Sequence, residues 1–381
     1  MSGKVNAYEY IDSQERLADL CSLLASEDRI AVDLEADSMH HFTEKVCLIQ
    51  IACSKGVHLV DPFKIERIQV LKPVLESPSV EKILHGSDFD IRSLDREYGI
   101  GIVNLFDTEI ASRLLGIRER GLAALLKEYF NVDLDKKFQK TDWTRRPLTG
   151  EMLAYCAADA AYLVELSDIL KQKLSAEGRL EWAAQECEKQ SRVRYEAGKD
   201  SFLFLKFKGA GKMDSRTLTV LEFLLRARRK IAEKKDLPLF KVMGANSIAR
   251  MAWKKPVTKG MLKRTGALSE KQMSMYADQC IRAVKEAVEL PAAELFTYPK
   301  SRGTRLSEME QKRVKALKKI RAEKSTSTGI EEGFLMNNTL ITALAKENPA
   351  RREEVFGMEN MSPWQAELLA DDVLRVLDGL R

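Results

Sequence analysis

The order of short apolar runs along the chain is the feature that most constrains its fold. Runs of strand length occur at Arg29–Glu35, Val46–Cys53, Val57–Val60, Lys82–His85 and Ile102–Phe106. Helix-like segments lie between and after these runs, and strands mixed with helices in this way predict an α/β domain that ends near residue 190. Beyond about residue 215 the apolar residues recur only at helical spacing, as Leu218, Leu221 and Leu225 do.

Two joints are visible in the middle of the chain. A polar, irregular stretch at 131–148 is closed by Pro147, and a long helix is predicted from Thr149 to about Leu174. Further on, the segment FLFLKFKGAGK predicts an extended piece that leads into a glycine-rich joint. The α/β part and the helical part are therefore expected to be separate domains.

The helical part contains a faint internal repeat. NSIARMA precedes Pro256, and NTLITALA precedes Pro349. Each is followed by a loop and then by an amphipathic helix, near Glu270–Glu289 and Pro363–Leu380 respectively. The repeat predicts two small helical domains of similar build, joined by a basic stretch at about 300–325.

Charge is distributed unevenly along the chain. The net charge is −8 over residues 1–200 (27 Lys and Arg against 35 Asp and Glu), +12 over 201–300 (21 against 9) and +1 over 301–381 (14 against 13). An acidic module tied to a basic one suits a metal-dependent nucleic-acid enzyme, because one part concentrates carboxylates around cations while the other attracts phosphates. Charge blocks that simply solvate the surface are the alternative explanation.

Composition argues against several classes of protein. No stretch approaches the roughly 18 consecutive apolar residues of a membrane span, and the N-terminus has neither an apolar run nor a small-residue cleavage site. Six cysteines are scattered without a CxxC pair, which argues against a disulfide framework or a zinc site. We therefore expect a cytoplasmic protein.

Asp33 and Glu35 are the first candidates for chemistry. Side chains alternate along a strand, so both carboxylates project from one face while Val32 and Leu34 point into the core. Two like charges side by side are unfavourable unless a cation lies between them, and a hard cation with oxygen ligands is the usual answer. Taken alone, however, such a pair is also common on strand surfaces.

Two further candidate positions lie downstream. In HGSDFD, at a strand-to-helix junction, Asp88 could act as a helix N-cap, which leaves Asp90 in the first helical turn. On the long helix, Tyr155 and Asp159 are four residues apart, so the phenol and the carboxylate stack on one helix face. A buried tyrosine beside a solvated aspartate is the ordinary explanation of such a pair.

In combination and in this order, the three motifs resemble the signature of the DEDD exonucleases, in their tyrosine-bearing subgroup. From about Ile30 to Leu166 the chain is similar to the ribonuclease D family in the stretches VDLEADSMHHFTEKVCLIQIA, KILHGSDFDIRSL, LFDTEIASRLLG, QKTDWTRRPLT and EMLAYCAADAAYLVEL. Residues from about 213 to 290 resemble the HRDC domain, above all in LPLFKVMGANSIARMAWKKPVTKGMLKRTG, and a weaker copy lies near 330–381.

The resemblance implies both the fold class and the domain plan. The fold it implies is an α/β ribonuclease H-like exonuclease domain followed by all-α, HRDC-like helical domains. The exonuclease domain is expected at 1–205 and the HRDC domain at 212–292. A basic linker or helix is expected at 293–325, and a second, divergent HRDC-like domain at 326–381.

For the site, the resemblance implies four carboxylates that hold two divalent cations, Mg²⁺ or Mn²⁺: Asp33, Glu35, Asp90 and Asp159. The family pattern places one ligand six positions from the opening histidine, counting His85 as the first, which selects Asp90 over Asp88. Asp107 is expected to be a helix N-cap. Tyr155 is expected to orient the attacking water, because a phenol with a pKa near 10 is a poor base at neutral pH.

Contacts with nucleic acid are predicted at eight further residues: His40, His41, Gln50, Arg145, Arg146, Arg226, Arg229 and Lys230. His40 and His41 could instead be loop residues and Gln50 a core residue, whereas Arg145 or Arg146 could bind a phosphate. Trp143, in the same loop as Arg145, is expected to pack rather than to stack on a base. The last three recur on one helical side and can neutralise phosphates without reading bases. A solvated helix surface or a protein-binding module is the alternative there.

The predicted function is that of a metal-dependent 3′→5′ exoribonuclease that releases 5′-mononucleotides from RNA with a free 3′ end, with tRNA precursors as the expected substrates. A monomer that needs no small-molecule organic cofactor is expected. A DNA 3′→5′ exonuclease and a catalytically silent RNA-binding adaptor are the alternatives. The presence of all four carboxylates and the tyrosine disfavours the adaptor.

Overall fold

The protein is described by a computed structural model that covers residues 8–37, 39–134, 137–196, 202–299 and 306–381. Within these residues the chain forms two compact units. The first comprises Met1–Ala36, Val46–Tyr195 and Thr304–Arg381, and the second comprises Asp37–Lys45 and Glu196–Gly303. Across the described ranges, no helix combines the length and the apolar character that crossing a bilayer requires.

A mixed sheet forms the centre of the first unit. Its strands are β1 (Tyr8–Ile11), β2 (Arg29–Ala36), β3 (Val46–Cys53), β4 (Gly56–Val60), β5 (Glu81–Leu84) and β6 (Leu105–Asp107). They lie in the order β1-β4-β3-β2-β5-β6, with β3 antiparallel to both of its neighbours and the other pairs parallel. The sequence did not predict β1, because its four residues, YEYI, include only one fully buried side chain, Ile11.

The helices packed around this sheet are α1 (Gln14–Leu24), α2 (Lys72–Leu75), α3 (Asp88–Tyr98), α4 (Thr108–Leu114), α5 (Leu122–Phe130), α6 (Gly150–Ala161), α7 (Leu163–Ala176) and α8 (Leu180–Ser191). The prediction of one long helix after Pro147 was wrong in its length. Tyr162 separates α6 from α7 and packs on the ring of Phe130, with centroids 5.5 Å apart. Thr149 caps α6 by accepting a hydrogen bond from the backbone N–H of Met152.

The C-terminal helices also belong to the first unit. They follow the helices of the second unit in the chain and are α14 (Glu308–Thr328), α15 (Glu332–Leu335), α16 (Asn338–Glu347), α17 (Arg352–Phe356) and α18 (Pro363–Asp378). The predicted boundary at residue 326 falls inside α14 and is wrong, because Leu317 and Ile320 of that helix are part of the core of this domain. The domain docks on α8, where the rings of Trp182 and Trp364 stack with centroids 5.0 Å apart.

The second unit is helical. It contains α9 (Ser215–Lys235), α10 (Leu239–Val242), α11 (Ala245–Lys254), α12 (Lys259–Thr265) and α13 (Glu270–Glu289). The predicted extended piece before α9 is instead two short 3-10 turns, Leu203–Lys206 and Ala210–Lys212, which bury Phe204 completely. The loop between β2 and β3 packs in this unit as well, since Asp236 accepts a hydrogen bond of 3.0 Å from the backbone N–H of Phe42.

The internal repeat is confirmed in the structure. Helices α11 and α16 occupy corresponding places, and each ends at a residue in the left-handed conformation, Lys255 (φ 47°) and Asn348 (φ 50°). A proline follows in both cases and stops the helix. The predicted helix Glu270–Glu289 has those same limits in the structure.

Candidate active site

Asp33 and Glu35 lie on β2, an interior strand of the sheet. Their neighbours Val32 and Leu34 are buried in the core, as the alternation of side chains predicts. Asp33 is the direct pairing partner of Gln50 on the antiparallel strand β3, so the two side chains share one face of the sheet. Asp33 and Glu35 therefore project together from the middle of the sheet.

Asp90 and Asp88 have different environments in the first turn of α3. Asp90 is buried, with 7% of its surface exposed. Asp88 points into solvent and forms an ion pair of 2.9 Å with Arg92, so the idea that it caps the helix is wrong. Asp107 does act as an N-cap, accepting hydrogen bonds from the backbone N–H groups of Glu109 and Ile110, which confirms that prediction.

Tyr155 and Asp159 complete the group from helix α6, which packs against β2, β3 and β4. Asp159 is buried, and the Tyr155 side chain makes a hydrogen bond that favours its ionised form. The spacing of one helical turn aligns the two groups on the face that meets the sheet.

The four carboxylates act on one another's pKa values. Burial, and next the charges of Asp33 and Asp159, raise the pKa of Glu35 to about 9. Burial and then Asp33 raise the pKa of Asp159 to about 8, and the same two causes hold the pKa of Asp90 well above its usual range. Burial raises the pKa of Asp33 to about 6. Mutual repulsion between poorly solvated carboxylates is typical of a site that binds cations.

The part of the chain that the structure describes does not provide that positive charge. Within the described ranges, no lysine or arginine forms an ion pair with Asp33, Glu35, Asp90 or Asp159. Carboxylate oxygens alone form a donor set that suits hard divalent cations. The residues present therefore fit divalent metal ions.

Comparison with known proteins agrees with this geometry. A family profile described as 3′-5′ exonuclease matches residues 8–175. Residues 8–175 therefore form a domain of the 3′–5′ exonuclease family. The HRDC domain profile matches twice, at 217–284 and 310–377, so the DEDD-type exonuclease domain is followed by two HRDC domains.

Two solved exonucleases resemble the chain over most of its length. Ribonuclease D of Escherichia coli is 28% identical over 97% of this chain and 98% of its own. Its crystal structure, titled as that of an exoribonuclease involved in structured RNA processing, has a TM-score of 0.75 at 27% identity and covers 98% of this chain and 99% of that one. The catalytic core of RRP6 from Trypanosoma brucei has a TM-score of 0.65 at 30% identity, over 74% of this chain and 80% of that one.

Other relatives are much longer than this chain. The exosome complex exonuclease RRP6 of Saccharomyces cerevisiae is 35% identical over 191 residues, which are 50% of this chain and 26% of that protein. The chain thus spans about a quarter of the length of this relative.

Within the exonuclease domain, two aromatic rings enclose the phenol of Tyr155. The ring of Trp143 stacks on it with centroids 6.2 Å apart, and Phe138 meets it edge-on at 5.7 Å. Trp143 is buried, which confirms that it packs. Burial, and then the charge of Asp159, raise the pKa of Tyr155, so the phenol keeps its proton at neutral pH. This state suits a hydrogen-bond donor or an orienting group and not a base.

Arg146 anchors the loop that carries these rings. Its Nε and Nη2 donate to the two carboxylate oxygens of Asp61 at 2.6 and 2.8 Å, and Nη2 also donates to the Cys47 carbonyl at 2.7 Å. Its Nη1 donates to the carbonyl of Trp143 at 2.7 Å. We therefore correct the prediction that Arg146 binds phosphate, because each guanidinium nitrogen already has a partner inside the domain.

Cys156, Phe138 and the contact of Trp143 with Tyr155 are parts of the site that the sequence did not predict. The Cys156 thiol is fully buried and lies 3.8 Å from Oε1 of Glu35. Its position directly after Tyr155 was the available signal. Phe138 and Trp143 lie in an irregular loop, where no periodicity shows what a side chain contacts.

The remaining residues predicted to contact RNA are distributed over both units. Gln50 is fully buried beside Asp33, and Arg145 reaches solvent with 82% of its side chain exposed. In the second unit, His40 is half-buried and His41 pairs with Asp236, Nδ1 to Oδ2, at 2.6 Å. Exposed positions on α9 carry the last three: Arg226, Arg229 and Lys230. As RNA contacts, all of these stay predictions.

Proposed function

We propose that the chain is a metal-dependent 3′→5′ exoribonuclease that releases 5′-mononucleotides from RNA with a free 3′ end. The observation that carries the proposal is the group of four mutually repelling, poorly solvated carboxylates on β2, α3 and α6, with a protonated tyrosine beside it. Membership of the 3′–5′ exonuclease family and similarity to ribonuclease D support the direction of attack and the choice of RNA.

Asp33, Glu35, Asp90 and Asp159 would hold two divalent cations. Bound there, such ions supply a nucleophilic water at neutral pH and stabilise the charge that develops on the departing 3′ oxygen. Mg²⁺ is the proposed ion and Mn²⁺ the alternative, because both prefer oxygen ligands. The raised pKa values mean that the carboxyl groups must lose protons as the ions bind, so ion binding should strengthen as the pH rises.

Tyr155 is proposed to orient the attacking water. Its hydroxyl proton is retained at neutral pH, and the Trp143 and Phe138 rings restrict its side chain to one position. A fixed donor next to the reacting groups lowers the entropic cost of reaching the transition state. The loop held by Arg146 thus contributes to catalysis through Tyr155.

The substrate is proposed to be structured RNA such as tRNA precursors, held in part by the basic helical region at 212–292. The net charge of +12 over residues 201–300 supports this role through attraction of phosphates. We also propose a monomer in the cytoplasm, where the six free cysteines would remain reduced. A DNA 3′→5′ exonuclease is the alternative in the same chemical class.

Digestion of RNA and DNA of the same sequence, labelled at either end, tests the proposal. With Mg²⁺, 5′-labelled RNA should shorten stepwise from its 3′ end and 3′-labelled RNA should release labelled mononucleotide at once. Full activity in excess EDTA would contradict the metal-dependent mechanism. Faster degradation of DNA than of RNA would favour the alternative.

A further inference from the structure

A cysteine, a histidine and a glutamate form a row across three strands of the sheet in the first unit. Sγ of Cys53 on β3 lies 3.7 Å from Nε2 of His58 on β4, and Nδ1 of His58 lies 3.2 Å from Oε2 of Glu9 on β1. A nucleophile within reach of a base, with that base oriented by a third group, is the arrangement used in nucleophilic catalysis. The row is separate from the carboxylate site and has no part in the proposed exonuclease reaction.

The pairing of the strands brings the three side chains together. Glu9 and His58 are register partners of the parallel pair β1–β4, so their side chains lie next to each other on one face. In the antiparallel pair β3–β4, Cys53 is the diagonal neighbour of His58, which is within reach of a long side chain. Side chains alternate along β3, so Cys53 and Gln50, the partner of Asp33, point to opposite faces. The row therefore lies on the other side of the sheet from Asp33.

Glu9 selects the form of His58 that can act as a base. A hydrogen bond from Arg16, 3.0 Å away, and the charge of His58 lower the pKa of Glu9, so this carboxylate is ionised at neutral pH. Because an ionised carboxylate only accepts hydrogen bonds, the neutral imidazole carries its proton on Nδ1 and its lone pair on Nε2, which faces Cys53. His58 is almost fully buried, so few water molecules can compete for that lone pair.

Cys53 and Cys21 are the two half-buried thiols, and the other four cysteines are buried. Burial raises the pKa of Cys21 to about 11, and its thiol donates to a backbone carbonyl at 3.4 Å. Burial also raises the pKa of Cys53, and Glu27 adds to this effect, whereas the backbone N–H groups of Lys55 and Gly56 and the charge of Lys55 oppose it. The Cys53 thiol therefore keeps its proton at neutral pH and needs a base in order to react, which His58 supplies.

We propose that Cys53 is a base-assisted nucleophilic thiol that exchanges with low-molecular-weight disulfides and forms a mixed disulfide with them. As Sγ attacks one sulfur of the small disulfide, Nε2 of His58 takes the thiol proton and Glu9 stabilises the imidazolium. A bond between Cys53 and that sulfur forms while the original S–S bond breaks. The released thiolate takes the proton from His58 and leaves as a thiol. The small disulfide is itself the oxidant, because one half of it is reduced as Cys53 is oxidised.

The end of the sheet at the β3–β4 turn has room for a small ligand. Cys53 lines a cavity of about 490 Å³ there, together with Gly56 and Val57 of β4 and with Ala161 and Val164 of the helices α6 and α7. A cavity of this volume is in the range that small-molecule sites occupy. The free thiol is the resting form of the site, and the mixed disulfide forms only while a small disulfide is present.

Exchange kinetics with an uncharged probe test the proposal. The reduced full-length protein is mixed with 2-hydroxyethyl disulfide at pH 7 in EDTA. The adduct on each cysteine is followed by mass spectrometry of quenched and digested samples. Cys21 serves as the internal control, because it is also half-buried and burial is the cause of its raised pKa. The assay contains neither RNA nor a divalent cation, so its result does not depend on the proposed exonuclease function.

In the folded protein, Cys53 is expected to form the adduct at least about tenfold faster than Cys21, because the rate of exchange depends on removal of the thiol proton. In concentrated urea the two cysteines should react at similar rates, because the row across the three strands is then lost. Equal rates at Cys53 and Cys21 in the folded protein, or a faster reaction at Cys21, would overturn the proposal.

Substitutions in the row separate base assistance from simple accessibility. His58→Gln should slow the reaction of Cys53 at least about tenfold, since a positioned general base contributes about 10²–10⁴-fold, and should leave the rate at Cys21 unchanged. Glu9→Gln should slow it several-fold, whereas Glu15→Gln, which removes the same charge at an exposed position of α1, should not.

Thermal unfolding of each variant establishes that the fold is retained. An unchanged rate at Cys53 in folded His58→Gln protein would refute the role of His58 as a base. If His58→Gln does not fold, the half-exposed Glu9 decides the question, because equal rates in Glu9→Gln and Glu15→Gln would then overturn the proposal.

Discussion

Glu35→Gln is expected to stabilise the metal-free protein while abolishing its activity. The pKa of Glu35 is raised from 4.5 to about 9 by burial and by the charges of Asp33 and Asp159, so at pH 7 the folded protein holds a proton that the unfolded chain releases. The roughly 2.5 units between pH 7 and the ordinary pKa correspond to about 3 kcal/mol at about 1.4 kcal/mol per unit. A glutamine of the same shape carries no ionisable group, so the free energy spent on keeping this position protonated disappears.

The pH dependence follows from the sign of the shift. Since the folded state binds the proton more tightly than the unfolded state, the free energy of unfolding falls as the pH rises above 4.5 and levels off near 9. The advantage of Glu35→Gln should therefore be close to zero at pH 4.5 and grow toward pH 8. Saturating Mg²⁺ should largely cancel this advantage, because a ligand at about 100 times its Kd stabilises the wild type by about 2.7 kcal/mol.

Chemical unfolding in EDTA and in Mg²⁺, at several pH values, measures this effect. Asp88→Asn is the matched control, because Arg92 lowers the pKa of this exposed carboxylate, and its loss should slightly destabilise the protein. If Glu35→Gln destabilises the metal-free protein equally at pH 5 and pH 8, the carboxylates do not repel one another in the way described.

Three further predictions concern the site and its support. Asp90→Asn should lower kcat at least about 100-fold, since even indirect supports of a metal site are worth about 10–100-fold, whereas Asp88→Asn should stay near wild type in steady-state assays. Arg146→Met should lower the free energy of unfolding by about 3–5 kcal/mol, because it removes the ion-pair partner of the fully buried Asp61 and leaves that carboxylate only its hydrogen bonds from Tyr10 and Phe63. In the same assay, the free energy of unfolding of the Arg145→Met variant should stay within about 0.5 kcal/mol of the wild type, because Arg145 is exposed. Equal effects of the two substitutions would contradict the anchoring role of Arg146. RNA with a blocked 3′ end should resist digestion, and rapid cutting of a circular RNA, followed on gels, would refute an exonuclease.

Local patterns allowed much of the fold to be predicted. Strand β3 was predicted with its observed limits, because a run of eight residues that are all apolar except Gln50 forms a strand buried on both faces. Helix α13 was predicted equally well, since Ser269 and Gln272 form a capping box at its start. In both cases the deciding information lies within a few residues of the element itself.

Contacts between distant segments could not be predicted in this way. Arg146 and Asp61 are 85 positions apart, and nothing near either residue specifies the other. The basic residue was therefore assigned to phosphate by charge alone, although burial of both partners gives it a structural role. The environment of Tyr155 was missed for the same reason, since Trp143 reaches it from a loop without periodicity.

Contacts of this kind made by the C-terminal HRDC domain change how the roles of the two helical domains are interpreted. The internal repeat predicted two helical domains of similar build, but the structure joins the second of them to the exonuclease domain. Glu186 of α8 is buried and accepts hydrogen bonds from the Ser362 hydroxyl and, at 2.7 Å, from Nε1 of Trp364, and Trp182 stacks on the same indole. Truncation of the helical half would expose Trp182 and remove these hydrogen-bond donors from Glu186. A loss of activity could then come either from a damaged catalytic domain or from weaker RNA binding. Substitutions on the surface of the first HRDC domain avoid this ambiguity, because its core is built from its own residues.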